Sequence, residues 1–316
     1  MLDDITRTYI DMATEIAKRE RLIVVTPDAK GTKAEIENGL KKKGLDDKAL
    51  GNVRVVEIET NDTWARDHGF ITLVGEGHKA LLDFRFNGWG GKFEAEKDNA
   101  INRKLHKKGV VKGDYVDYND FVLEGGSIES DGEGTVFTTS CCLLAPGRNQ
   151  PMTRDDIENE LKRRLCAKRI VWIDYGSLMG DDTDGHIDTL VRVAPADTLL
   201  YVGCEDENDP QYRSLHKMEE QLRTLRTRTG RGYRLLKLPM PKPIYNDGER
   251  LPATYANFLV MNGAVLYPTY DQPDLDAEAG QTIADAFPDR EVIGIDCRSV
   301  IVQHGSLHCC TMQMPR

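Results

Sequence analysis

The residues that could do chemistry lie in four short segments. The closing one, 305–316, reads GSLHCCTMQMPR and sets Cys309 directly after a histidine in a polar, sulfur-rich stretch that makes a poor core. A thiolate is the nucleophile suited to a resonance-stabilised carbon, given a base and a substrate clamp nearby. In NDTWARDHG (61–69), Asp62, Trp64, Arg66 and Asp67 crowd together, which by itself reads first as a salt-bridged turn. FVLEGGS (121–127) runs an apolar strand into Glu124 and two glycines. Glycine there permits close backbone approach, although a bulge explains it as well. GDDTDGHIDTLVRV (180–193) puts His186 and Asp188 two apart at an expected strand start, so that they share one face.

His186 is the best acid/base candidate, because imidazole titrates near neutrality. The other histidines, among them His68, His78, His106 and His304, lie mostly in exposed-looking or charged stretches. On the expected end strand, alternation turns His308 away from Cys309. It also turns Cys309 and Cys310 to opposite faces, and periodicity leaves open which of them is the nucleophile. Asp67 and Asp188 have no part in ordinary acyl transfer, which relies on N–H donors. They suit a planar cation with several N–H groups, and a guanidinium is such a group. The acidic run around His186 could also ligate a metal. No second histidine stands at ligand spacing, so none is expected.

These segments need a scaffold. A chain of 316 residues can bury a sizeable core as one domain or two. With 42 basic and 52 acidic residues, its net charge of −10 argues against nucleic acid and is compatible with a cationic small molecule. Seven cysteines without a CxxC spacing fit a reducing cytosol. No apolar run approaches a membrane span, and no signal peptide is visible, so a cytoplasmic place is expected. Hydrophobic spacing predicts helices over 4–20, 33–43 (closed by Gly44), 94–108, 153–165, 211–228 and 274–286. Strands are predicted at 22–27, 53–59, 70–74, 80–84, 110–117, 121–126, 135–139, 169–174, 188–193, 198–203, 233–238, 257–262, 264–268, 291–296 and 300–305. The stretch 239–253 reads as a loop or flap. No repeat and no interdomain linker appears, so one α/β domain is the economical arrangement. The polar segments follow or interrupt strands, which is how such folds build sites.

Taken together, NDTWARDHG, FNGWGGK (86–92), LEGGS (123–127), DDTDGHID (181–188), TYANFLVMNGAVLYPTY (254–270) and GSLHCCTMQMP (305–315) resemble the agmatine deiminases. These belong to the guanidino-group-modifying superfamily, with the bacterial peptidylarginine deiminases. The resemblance implies a pseudo-fivefold α/β propeller of ββαβ modules around a central pocket. It implies one deiminase domain over 1–316; the family's N-terminal strand segment is not seen before Met1, which leads straight into the first helix, so either the true start lies upstream or the first module lacks a strand. It places the nucleophile at Cys309 and makes Cys310 a packing residue. Asp67 and Asp188 become the guanidinium clamp, His186 the acid/base, Glu124 its supporting glutamate and Trp64 a pocket wall. Asp182 is a candidate receiver for a distal ammonium. No cofactor or metal is implied, and a homo-oligomer stays open. The implied reaction converts agmatine to N-carbamoylputrescine and ammonia through a Cys thiouronium adduct. Free arginine would need a cation for its α-carboxylate, and Arg66, Arg85 and Lys92 are available in sequence; a peptidyl-arginine substrate is the other variant. A non-catalytic guanidine- or polyamine-binding protein is the alternative of a different class.

Overall fold

The computed structural model describes residues 2–315, so the expectation about Met1 falls outside them. The first helix, Leu2–Ala17, buries Ile10, Ala13 and Ala17 against Ile36 and Leu40 of the helix Ala29–Lys42. Asp28 caps that second helix by accepting the Gly31 N–H at 2.9 Å. Gly44, at φ +81°, closes it, and the Leu45 N–H returns to the Leu40 carbonyl at 3.1 Å. Strand β1 (Leu22–Thr26) precedes this helix, and β2 (Val53–Glu57) follows and pairs parallel with β1.

The next twelve strands that form three-stranded sheets obey one rule. They are β3 (Ile71–Gly75), β4 (His78–Arg85) and β5 (Asp114–Val122); β6 (Ile128–Ser130), β7 (Thr135–Thr139) and β8 (Arg169–Ile173); β9 (Val191–Ala194), β10 (Thr198–Val202) and β11 (Arg234–Leu238); and, after a short hairpin of β12 (Tyr245–Asn246) and β13 (Glu249–Arg250), β14 (Leu259–Met261), β15 (Ala264–Thr269) and β16 (Glu291–Asp296). In each sheet the second strand is central, antiparallel to the first across a short turn and parallel to the third. Parallel pairing requires a crossover. It is made by helices that include Ile101–Lys107, Arg154–Arg164, Tyr212–Thr224 and Pro273–Ala286. The fold is mixed α/β with several small sheets, and a topological repeat exists where no sequence repeat is visible.

Several expected strands give way at the functional segments. Residues 307–310 form a turn, not an end strand, because the Asn257 side-chain oxygen captures the N–H groups of His308 (2.9 Å) and Cys309 (3.3 Å). Residues 300–305 are the 3₁₀ turn Ile301–Gln303, ending at His304 in the left-handed region. His186 and Asp188 flank and occupy the 3₁₀ turn Ile187–Thr189, and β9 begins only at Val191. The strands expected at 110–117 and 121–126 merge into β5, while the helix expected over 94–108 splits into Glu96–Asn99 and Ile101–Lys107. No helix among the described residues is long and apolar enough to cross a membrane.

Candidate active site

Gly126 is the hinge of the site. It lies in the 3₁₀ turn Gly125–Ser127, and its N–H donates to Asp67 Oδ1 at 3.1 Å. A Cβ added there would stand 2.7 Å from His186 Nδ1, 2.8 Å from Asp67 Oδ1 and 3.2 Å from Asp188 Oδ2. Only glycine leaves these three side chains their common space. Turns that close one sheet and open the next therefore bring together residues that are far apart in sequence.

Each carboxylate has its own holder. Asp67, on the short helix Ala65–His68, accepts the Trp89 indole N–H on Oδ2 at 3.0 Å. His186 Nδ1 stands 3.5 Å from Asp67 Oδ1, with Asp67 already bonded to Gly126. Asp188 Oδ2 meets His308 Nδ1 at 2.7 Å. His308 therefore does not turn away from the site as alternation on a strand requires: a turn carries both His308 and Cys309 inward. Among the described residues, Asp188 Oδ1 and both ring nitrogens of His186 are buried without a hydrogen-bond partner. Buried polar atoms are ordinarily satisfied, so three orphans around one spot mark the place of a ligand with hydrogen-bond donors and acceptors.

A cavity of about 130 Å³ opens beside them, lined by Trp64, Asp67, Trp89, Asp182, His304 and Cys309 among others. Gly305 packs on the Trp64 ring. A larger groove of about 1210 Å³ runs along β1 and the C-terminal tail, but Asp67, Asp188, His186 and Cys309 do not line it. Of these four, Asp67 and Cys309 line the small cavity, while Asp188 and His186 lie buried outside both linings. Cys310 borders the groove, with its sulfur 4.0 Å from the Tyr9 hydroxyl.

Burial governs the protonation states. It pushes the Cys309 thiol well above its usual range, reinforced by Asp188 and Asp67. It pushes the Asp67 carboxyl up, helped by Asp188 and Glu124, and raises Asp188 to about 7 against the pull of Arg192 and Arg66. His186 is driven well below the usual imidazole range by burial, then by the Arg148 and Lys92 cations. An incoming guanidinium would restore charge to the carboxylates and favour a thiolate.

Glu124 is fully buried, and both its carboxylate oxygens accept from Arg148 Nε at 3.1 Å. Arg148 continues to Asp184 (2.7 Å) and the Thr183 carbonyl (2.8 Å), and Lys92 reaches Asp184 at 2.7 Å. Glu124, Cys142 and His186 lie close enough to face one metal ion. That donor set fits a cation poorly, because a guanidinium already occupies Glu124 and burial keeps Cys142 a thiol. Asp182 is half-buried, and burial raises its carboxyl. Arg66 bonds the C-terminal tail through the His308 carbonyl and Gln313; Arg85 is exposed at the end of β4; Lys92 is spent on Asp184 and the Asp182 carbonyl.

Sequence reasoning gave no role to Trp89, Arg148, Arg192 or Asn257. Trp89 had a usable signal: a non-glycine residue at φ 56° flanked by Gly88, Gly90 and Gly91, all at positive φ, as the NGWGG run permits. Asn257 is a fully buried amide in an apolar segment.

A family model of the Porphyromonas-type peptidyl-arginine deiminase matches residues 1–315. The chain belongs to that family. An agmatine deiminase from Pseudomonas putida is 36% identical over 289 residues, 84% of this chain and 77% of that protein. A structure from Porphyromonas gingivalis, provisionally assigned as an arginine deiminase, superposes with a TM-score of 0.94 at 48% identity, covering 100% of this chain and 91% of that one. A Cys-to-Ser variant of the C. jejuni agmatine deiminase with substrate bound superposes with a TM-score of 0.86 at 39% identity, covering 98% and 86%.

Proposed function

We propose that this protein is a hydrolase of linear amidines that converts agmatine to N-carbamoylputrescine and ammonia. The observation that carries this is the buried Asp67/Asp188 pair whose charges act on the buried Cys309 thiol, with Asp188 Oδ1 and both His186 ring nitrogens left without hydrogen-bond partners among the described residues. Asp67 and Asp188 grip the guanidinium, Trp64 walls it, and Cys309 gives its proton to His186 as the cation settles. The thiolate adds to the guanidinium carbon, and protonated His186 hands its proton to one amino group, which leaves as ammonia. A thiouronium adduct remains. Neutral His186, supported by Glu124, then takes a proton from water as hydroxide adds. Collapse breaks the C–S bond and moves the hydroxyl proton to sulfur, so that the ureido product forms, and His186 releases its proton to solvent, where the ammonia already expelled takes one up as ammonium.

The lining of the cavity favours an amine over an amino acid. Asp62 and Asp182 are part of it, and among the described residues no arginine or lysine is. Free arginine would leave its α-carboxylate without a cation. We also infer one domain over 1–316, in which the four three-stranded sheets and the β1/β2 sheet are blades of a pseudo-fivefold propeller around this site. The repeated strand order supports it. Seven free thiols support a reducing, cytoplasmic setting.

The test measures ureido product and ammonia from agmatine, free arginine and a peptide ending in arginine, with and without a chelator. Turnover of agmatine far above the other two, untouched by chelation, is expected. Preference for arginine would overturn the substrate, and binding without ammonia would make this a binding protein. Loss on chelation would move the chemistry to the Glu124, Cys142 and His186 cluster.

A further inference from the structure

We propose that Arg192 and His308 form one positioning unit that sets the Asp188 carboxylate and the Cys309 thiol at the same time. The assignment rests on the deiminase mechanism above for its consequences but not for its geometry. Arg192, on β9, is buried, with Nε on Glu129 Oε1 at 2.7 Å and the guanidinium over the Phe258 ring at 4.3 Å. Its Nη2 lies 3.2 Å from His308 Nε2. A guanidinium can only donate, so Nε2 must accept and the ring proton must sit on Nδ1. That N–H points at Asp188 Oδ2, 2.7 Å away. Arg192 thus fixes the tautomer through which His308 holds the clamp, leaving Asp188 Oδ1 free for substrate.

The second arm runs to the nucleophile. Arg192 Nη1 donates to the carbonyls of Ala256 (2.8 Å) and Phe258 (2.5 Å), the two residues flanking Asn257. The Asn257 side-chain oxygen lies 3.4 Å from Cys309 Sγ and accepts the Cys309 N–H. One planar fork therefore braces both the clamp and the thiol, a geometry lysine cannot reproduce. Charged and titratable groups facing His308 and Asp188 are Arg192, Arg66, His186, Glu129, Asp181 and Asp67.

Two measurements decide. In the intact protein with ¹⁵N-labelled histidine, the His308 resonances, identified by their loss in His308→Asn, should show an Nδ1–H ring that does not titrate between about pH 5 and 9. An Nε2–H ring, or titration near neutrality, would overturn the assignment without any assay of activity. In kinetics, His308→Leu should raise the KM for agmatine by about 10- to 100-fold, the scale of a lost hydrogen bond to a charged group. It should also move the acid limb of kcat/KM to higher pH. His308→Asn, which keeps a donor at the Nδ1 position, should recover most of both. Arg192→Lys should weaken agmatine binding and slow thiol alkylation together. Folded variants of either residue with unchanged KM and unchanged acid limb would overturn it. Failure of the wild-type protein to act on any guanidine, with the Nδ1–H ring observed, would instead sink the substrate assignment alone.

Discussion

Cys309 and His186 are both buried, but their charged neighbours differ in sign. Around Cys309 stand acids, Asp188 and Asp67, so charge as well as burial keeps it a thiol. Around His186 stand cations, Arg148 and Lys92, so the imidazole stays neutral. Each group is thereby held in the form that the proposed mechanism requires before substrate binds: sulfur protonated and imidazole neutral. Neither region alone can make proton transfer from sulfur to nitrogen favourable. On the mechanism proposed above, a guanidinium added to the acidic side would change the balance and tie ionisation of Cys309 to arrival of substrate. The difference also shows in support: Asp188 and Cys309 are braced by neutral amide and imidazole groups, whereas His186 has no hydrogen-bond partner in its ring.

Removing the proposed nucleophile is the largest way to break this comparison. Cys309→Ala should lower ammonia release by on the order of a million-fold while agmatine still binds, checked by a product assay and by calorimetry. Activity surviving in that variant would place the nucleophile elsewhere. Gly126→Ala comes next, because its methyl group would enter the space between His186, Asp67 and Asp188. Displacing these groups should cost about a hundredfold in kcat/KM, with about 1–3 kcal/mol of stability lost by overpacking in a denaturant titration. Wild-type kinetics for this variant would show that the two sides do not meet at Gly126.

These residues were unequally legible. Asp67, Glu124, His186 and Asp188 stand out because several polar groups cluster at strand ends. The strand alternation assumed for 305–310 failed: Asn257 takes the backbone N–H groups of two successive residues, and the segment turns. In non-repeating backbone, side-chain direction follows no period. That is why His308 reads as outward and is found on Asp188. Arg148, Arg192 and Trp89 escaped for a related reason, since each meets its partner across a contact between sheets or loops that no local spacing encodes. The order of strands was largely readable from short apolar runs, but not their grouping into a repeated topology, which depends on pairings made across helical crossovers.

A pH profile sharpens the acidic side. Burial raises Asp188 to about 7, and the proposed clamp needs its ionised form. The group is protonated below that value and charged above it. For a substrate that is cationic throughout, kcat/KM should therefore rise about tenfold per pH unit toward 7 and then level. His186 is shifted the other way, toward its neutral form, by burial and by the Arg148 and Lys92 cations. A limb set instead near the ordinary carboxylate range would mean that Asp188 is ionised before substrate arrives, and that the acidic neighbourhood of Cys309 carries standing charge.

The smallest effect is expected from the neighbouring thiol. Cys310 borders the large groove, bonded loosely to Tyr9, and burial raises it to about 12. Unlike Cys309, it does not line the small cavity. Cys310→Ser keeps a hydroxyl for Tyr9, so ammonia release should stay within about twofold of wild type. Alkylation by an amidine-bearing reagent should still label a single cysteine, Cys309, identifiable by peptide mass. The turn at 307–310 sends adjacent thiols into different environments, and this substitution isolates that consequence from every other feature of the site. A severe loss from Cys310→Ser alongside an active Cys309→Ala would mean that the turn presents the opposite sulfur to substrate.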